Sequence, residues 1–106
     1  LSVMRLAVSE LNRFIGEKLL GLSQENGELF TCFGCGNLRV FTKVSFTLPM
    51  NEMIGQVVQS IEFEEAEVFI ISLSGGATIA VSLKPKDYSG PEAFCATFND
   101  GAIVVE

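Results

Sequence analysis

The residues best suited to chemistry are Cys32 and Cys35, which form a CxxC in the stretch TCFGCGN at residues 31–37. That spacing serves tetrahedral zinc sites and dithiol redox centres. A structural zinc needs four ligands, and the chain offers no histidine and one further cysteine, Cys95. A redox CxxC sits at the start of a helix, whose dipole and free N–H groups lower the thiol pKa. Here Gly36 and Asn37 are followed by LRVF, which reads as a turn and then a strand. Neither a metal nor a cofactor is therefore expected. The lack of histidine also removes the Ser-His and Cys-His pairs of nucleophilic catalysis. Gly34, Gly36, Gly75 and Gly76 read as hairpin glycines rather than a phosphate loop. No catalytic residue is nominated, and an enzyme is the less favoured reading.

A second group of residues points to binding. The stretch EFEEAE at residues 62–67 places Glu62, Glu64, Glu65 and Glu67 around one bend. Crowded like charges repel and must stay solvated, so this bend should project into water. Such a tip can discourage strand-to-strand aggregation, or it can steer a basic protein partner. Arg39, Phe41 and Lys43 alternate along one strand, and together they could make a contact face. Thirteen acidic residues against seven basic ones give a net charge of −6. A broad basic face for nucleic acid is thus not expected.

Hairpins must position these residues. ELFTCFGCGN from Glu28, EVFIISLSGG from Glu67 and EAFCATFNDG from Glu92 each begin Glu-x-Phe and end in turn residues, and each is followed by a second apolar run. Gly-Gly and Asp-Gly supply the positive φ of hairpin turns. The first two units also match at a constant spacing of 39 residues, as from Ile15 to Ile54, with further identities at Gly16/Gly55, Glu25/Glu64, Glu28/Glu67, Phe30/Phe69 and Gly36/Gly75. That alignment sets Cys32 against Ile71, a core-facing position, and Cys35 in a turn. Strands are expected near 18–24, 28–34, 37–46, 57–63, 67–73, 77–83, 93–98 and 102–105. Val3, Leu6, Ala7, Leu11 and Phe14 recur at helical spacing and predict a helix over about 2–15, ended by Gly16. Pro49 suits the start of a single helical turn reaching Ile54.

The expected fold is α+β, as one domain over residues 1–106. The N-terminal helix packs on a strongly bent antiparallel sheet or partly open barrel built from hairpin units at about 18–46, 57–83 and 93–105. No apolar run reaches the ~20 residues of a membrane span. Arg5 and Arg13 interrupt any signal pattern, and an odd number of cysteines argues against a disulfide framework, so a cytoplasmic location is expected. The final strand AIVVE leaves an open edge that a homodimer could pair. The run Ile15-Gly16 with Leu19 and Leu22, an acidic hairpin, and Phe33, Gly36, Leu38 and Val40 after it resembles small acidic bacterial proteins. Some of these are immunity partners of toxins, and some travel on mobile gene cassettes. The resemblance is a loose pattern over residues 14–46 and 53–105, and it implies a bacterial cytoplasmic binding protein with no functional residue to carry over. The leading expectation is a non-enzymatic protein–protein interaction module, of immunity or adaptor type, acting as a homo-oligomer or on a basic partner. Its rival is a small-molecule binder or enzyme using a cavity in the curved sheet.

Overall fold

The computed structural model describes residues 9–105. Strand accounts for 51% and helical turns for 12%, so the fold is all-β and not the expected α+β. Among the described residues nine strands form two antiparallel sheets. They are β1 (Leu19–Glu25), β2 (Glu28–Phe33), β3 (Gly36–Val40), β4 (Val44–Phe46), β5 (Val58–Glu64), β6 (Val68–Leu73), β7 (Thr78–Ser82), β8 (Phe94–Phe98) and β9 (Ile103–Val105). The first sheet runs β1-β2-β3-β8-β9 and the second runs β4-β7-β6-β5. An isolated bridge between Lys18 and Val57 links them at one side. No helix among the described residues is long and apolar enough to cross a membrane.

The expected N-terminal helix needs correction. Residues 2–8 of that stretch lie outside the described residues, and Ser9–Phe14 within it is a 3-10 turn. Leu11 and Phe14 lie three positions apart, the repeat of a 3-10 turn, and both are buried. Gly16 then takes a φ of 89°, a left-handed value open to glycine that reverses the chain. Of the apolar positions read from the sequence, Leu11 and Phe14 plug one end of the core. The short helix α1 (Met50–Met53) repeats this at the second unit, with Met53 buried, Gly55 at φ 95°, and Pro49 standing just outside the helix as its cap.

The internal repeat takes the form of a reciprocal hydrogen-bond pattern. Gly16 N–H donates to Val58 O at 2.8 Å and Gly55 N–H to Leu19 O at 2.7 Å; Leu19 N–H donates to Gln56 O at 2.8 Å and Val58 N–H to Glu17 O at 2.9 Å. Each bond maps onto its mate at the spacing of 39 residues. Ile15 and Ile54 match even in exposure, at 44% and 45%. Beyond this point the spacing drifts. Asn26 and Gly27 alone join β1 to β2, whereas Glu65, Ala66 and Glu67 join β5 to β6. Gly34 and Cys35 join β2 to β3, whereas the partner turn closes with Leu73 N–H on Ala77 O across three residues. Each turn of the second unit is one residue longer, so equivalent positions are 40 residues apart in β2/β6 and 41 in β3/β7. The third segment is no third copy. Its strand β8 pairs with β3 as β4 pairs with β7.

The single long strand expected over 37–46 is broken for this reason. After β3 the chain leaves its own sheet at residues 41–43 and adds β4 to the other unit's last strand. After β7 it crosses back and adds β8 to β3. Matching bonds seal the two exchanges: Phe41 N–H to Ala93 O at 2.7 Å and Ser82 N–H to Lys43 O at 2.9 Å.

The inner faces of both sheets bury one apolar cluster. Phe14 lies between Phe33 and Phe98, with ring centroids 4.7 and 4.9 Å away. Phe69 of the second sheet meets Phe94 of the first at 5.3 Å, and the half-buried Phe63 packs edge-on to Phe69. Close approach of backbones is needed at Gly36, where a Cβ would lie 2.3 Å from Thr97 O and 2.9 Å from Phe98 Cα. Gly36→Ala should therefore push β3 off β8 and cost about 2–3 kcal/mol. Gly90→Ala, with open space around it, should change stability by less than ~1 kcal/mol. Urea unfolding of the two variants checks the contrast, and equal stabilities would refute it.

Candidate functional site

The two cysteines of the CxxC take different environments. Cys32 was expected in the core, but it is exposed on the outer face of β2. The drift in spacing explains this, because Cys32 corresponds to Ser72, also turned outward, and not to the buried Ile71. Cys35 lies in the β2–β3 turn, where its S–H donates to Arg13 O at 3.6 Å. Burial pushes its thiol pKa up, and Glu17 adds to the effect. A thiol held protonated is a poor nucleophile. Among the described residues no three His, Cys, Asp or Glu side chains converge as metal ligands.

Polar side chains instead converge on a cleft of about 880 Å3 that covers part of the outer face of the second sheet and is bordered by Gln24 and Gly27 of the β1–β2 hairpin. Its floor includes Val68 of β6 with Ala80 and Ser82 of β7. Strand alternation dictates this, since their neighbours Phe69, Ile79 and Val81 are buried in the core. One rim is the acidic β5–β6 turn, which contributes Glu64 and Glu67. The opposite rim is built by the crossing segment, with Thr42 and Lys43, and by the 3-10 turn Pro85–Asp87.

Two internal ion pairs organise the rims. Lys84 Nζ lies 3.7 Å from Glu67 and Lys43 Nζ 3.5 Å from Asp87. Lys43 is 80% exposed whereas Asp87 is only 12% exposed. The Ser82 hydroxyl donates to Asp87 Oδ2 at 2.6 Å and accepts from the Lys84 N–H at 3.2 Å. The Ser82 hydrogen bond, helped by Lys43, holds the Asp87 carboxyl below the usual carboxylate range. Such a carboxylate is a weak base for an alcohol. The Ser82–Asp87 contact fastens the 3-10 turn to β7. Glu64 makes no ion pair among the described residues, which leaves the cleft one carboxylate in excess of its own cations. Chemically it suits a ligand that brings a positive charge.

The residues singled out from the sequence divide between the two sheets. Glu64, Glu67 and Lys43 come together in the cleft. Glu62 and Glu65 are exposed beside it, outside its lining. Arg39 and Phe41 lie on the outer face of the first sheet, where the Arg39 guanidinium sits 5.0 Å from the Phe30 ring centre and 5.2 Å from that of Phe41. Glu28 accepts from Arg39 at 3.3 Å. Lys43 does not share that face as expected, because the chain changes sheets between Phe41 and Val44. Thr42, Ala80, Ser82 and Asp87 escaped sequence reading. Ala80 and Ser82 are small residues in an unremarkable strand, and Asp87 lies in a polar connection that carries no motif.

The two outer faces are equivalent in backbone and opposite in filling. Phe30 pairs with Arg39 as Ile70 pairs with Ala80, and Ser82 corresponds to Phe41. A bulky stack occupies the first sheet where the second has Ala80, Ser82 and open space. Neither protein-family models, curated protein sequences nor solved structures give a match to this chain.

One atom at the cleft wall has an energetic signature. Thr42 is 5% exposed, and its Oγ1 has no hydrogen-bond partner. A buried hydroxyl left unpaired costs ~1–3 kcal/mol. Thr42→Val keeps the shape and removes the orphan, so it should raise stability by about 1 kcal/mol in thermal or urea unfolding. A clear loss of stability would show that the hydroxyl is satisfied in solution.

Proposed function

We propose that this chain is a non-enzymatic binding module that docks a basic segment of a partner protein into the cleft of the second sheet. The observation that carries the reading is the opening of Glu64, Glu67 and Asp87 onto one cleft whose own lysines leave one carboxylate uncompensated. The net charge of −6 acts at longer range, drawing a cationic partner in and raising its association rate. The exposed Glu62 and Glu65 extend that field outward from the turn. Lys84 and Lys43 are held at the rims by exposed or partly exposed pairs, which are weak enough to exchange for an incoming guanidinium or ammonium. A bacterial cytoplasmic setting and an immunity or adaptor role fit this reading and follow from the loose sequence resemblance. A small molecule held inside the curved sheet draws no support from an interior occupied by Phe14, Phe69 and Phe94.

The test is fluorescence anisotropy with a labelled decapeptide of alternating Arg and Ser. Saturable binding should weaken as salt rises. The double variant Glu64→Gln and Glu67→Gln should lose about tenfold in affinity or more, a change of ~1.4 kcal/mol. Binding that ignores both changes, or no binding at all, would remove the proposal. Sedimentation velocity on the same samples reads self-association. Among the described residues strand β9 pairs with β8 alone, and it exposes Ile103, so pairing of two such edges supports a dimer. A strictly monomeric profile at high micromolar concentration would discard that part.

A further inference from the structure

The internal repeat says what shape of cation the cleft accepts. On the first sheet the row Ser23–Phe30–Arg39–Cys95 crosses the outer face, and on the second the equivalent row is Glu62–Ile70–Ala80–Ser45. Arg39 lies flat along its sheet, its guanidinium against two rings and its end on Glu28. Ala80 stands at the same place with only a methyl group, and the neighbouring Phe41 is replaced by Ser82. The volume of an arginine and an aromatic ring is thus absent from one of two surfaces with matched backbones. A carboxylate is still within the row beyond, because Glu64 pairs across from Val68.

We infer that the cleft takes an arginine of an extended partner segment, laid over Ala80 with its guanidinium on Glu64, and an aromatic side chain two residues along, over Ser82. This rests on the basic-segment reading above and sharpens it. Side chains at i and i+2 of an extended segment lie about 6.6–6.8 Å apart on one face, and Ala80 and Ser82 have the same strand spacing. The arginine stem is apolar and can cover Val68 and Ala80 while its charged end stays at the wetter rim. Its planar fork matches a carboxylate with two parallel hydrogen bonds, which an ammonium cannot do.

The probes are three labelled heptapeptides identical except for one position, Gly-Ser-X-Ser-Phe-Ser-Gly with X as Arg, Lys or Gln. Anisotropy titration should give the Arg peptide at least about tenfold tighter binding than the Lys peptide, with the Gln peptide weaker still. Ala80→Arg refills the gap in the manner of the first sheet and should abolish binding of the Arg peptide, with circular dichroism and melting temperature near those of the parent. Ser45→Arg, at an exposed edge position of the same row, gives a second block should Ala80→Arg fail to fold. Equal binding of the Arg and Lys peptides would overturn the arginine inference and leave the basic-segment reading standing. Binding of none of the three, with the alternating Arg/Ser decapeptide still bound, would likewise overturn it alone. Failure of every peptide would remove both. Full binding to a folded Ala80→Arg or Ser45→Arg variant would place the contact elsewhere and overturn it.

Discussion

The exchange of strands between the two units is the constraint on which the rest of the structure depends. Each unit ends by donating a strand to the other: β4 completes the second sheet and β8 the first. The backbone groups that would lie unpaired along β3 and β7 are satisfied only by the partner unit. Open strand edges and unpaired buried amides both carry a cost, so neither unit has a closed sheet of its own. The crossing segments also determine what lies at the rims. Residues 41–43 leave Phe41 on one sheet and bring Lys43 to the other. The return crossing brings the 3-10 turn with Asp87 to the same rim. The cleft is built by the exchange as much as by the strands beneath it.

Given that scaffold, the difference between the outer faces becomes informative. The inner faces are constrained by a shared core in which Phe69 and Phe94 touch across the sheets. The outer faces are free of that constraint, and here they diverge. One is covered by Phe30, Arg39 and Phe41, with a smaller hollow of about 310 Å3 beside them. The other has small or aliphatic side chains, two internal ion pairs and a residual carboxylate. The same backbone site is thus filled on one unit and open on the other. The acidic turn, read from sequence as a solvated tip, is also the wall of that opening.

Much of the fold was legible because it rests on short-range pattern. Alternation marked the strands, and Asn26-Gly27 and Gly75-Gly76 lay where turns were needed. The identical Ile15-Gly16 and Ile54-Gly55 pairs marked a repeat, while the reciprocal hydrogen bonds that join the two units there are visible only in the fold. What was not legible depended on counting and on long-range pairing. An extra residue in each turn of the second unit shifted the true equivalences by one and then two positions. Cys32 was thereby assigned to the core, and Arg39 and Phe41 were not matched with Ala80 and Ser82. The apolar positions up to Phe14 fit a helix and a 3-10 turn alike until Gly16 reverses the chain. The break between β3 and β4 has no local signal, since Thr42 is a good strand residue whose placement is decided by β7. Asp87 was invisible because only the fold brings it to Ser82 and Lys43.

The open face over Ala80 is proposed as a docking place for a cation. Methyl NMR of the protein with labelled alanines, titrated with the arginine-bearing heptapeptide, tests it most directly. The account predicts a saturable shift of the Ala80 methyl and intermolecular contacts from it to the arginine stem, while Ala96, buried under the first sheet, stays unmoved. An Ala80 signal that does not change while the peptide is bound would contradict it.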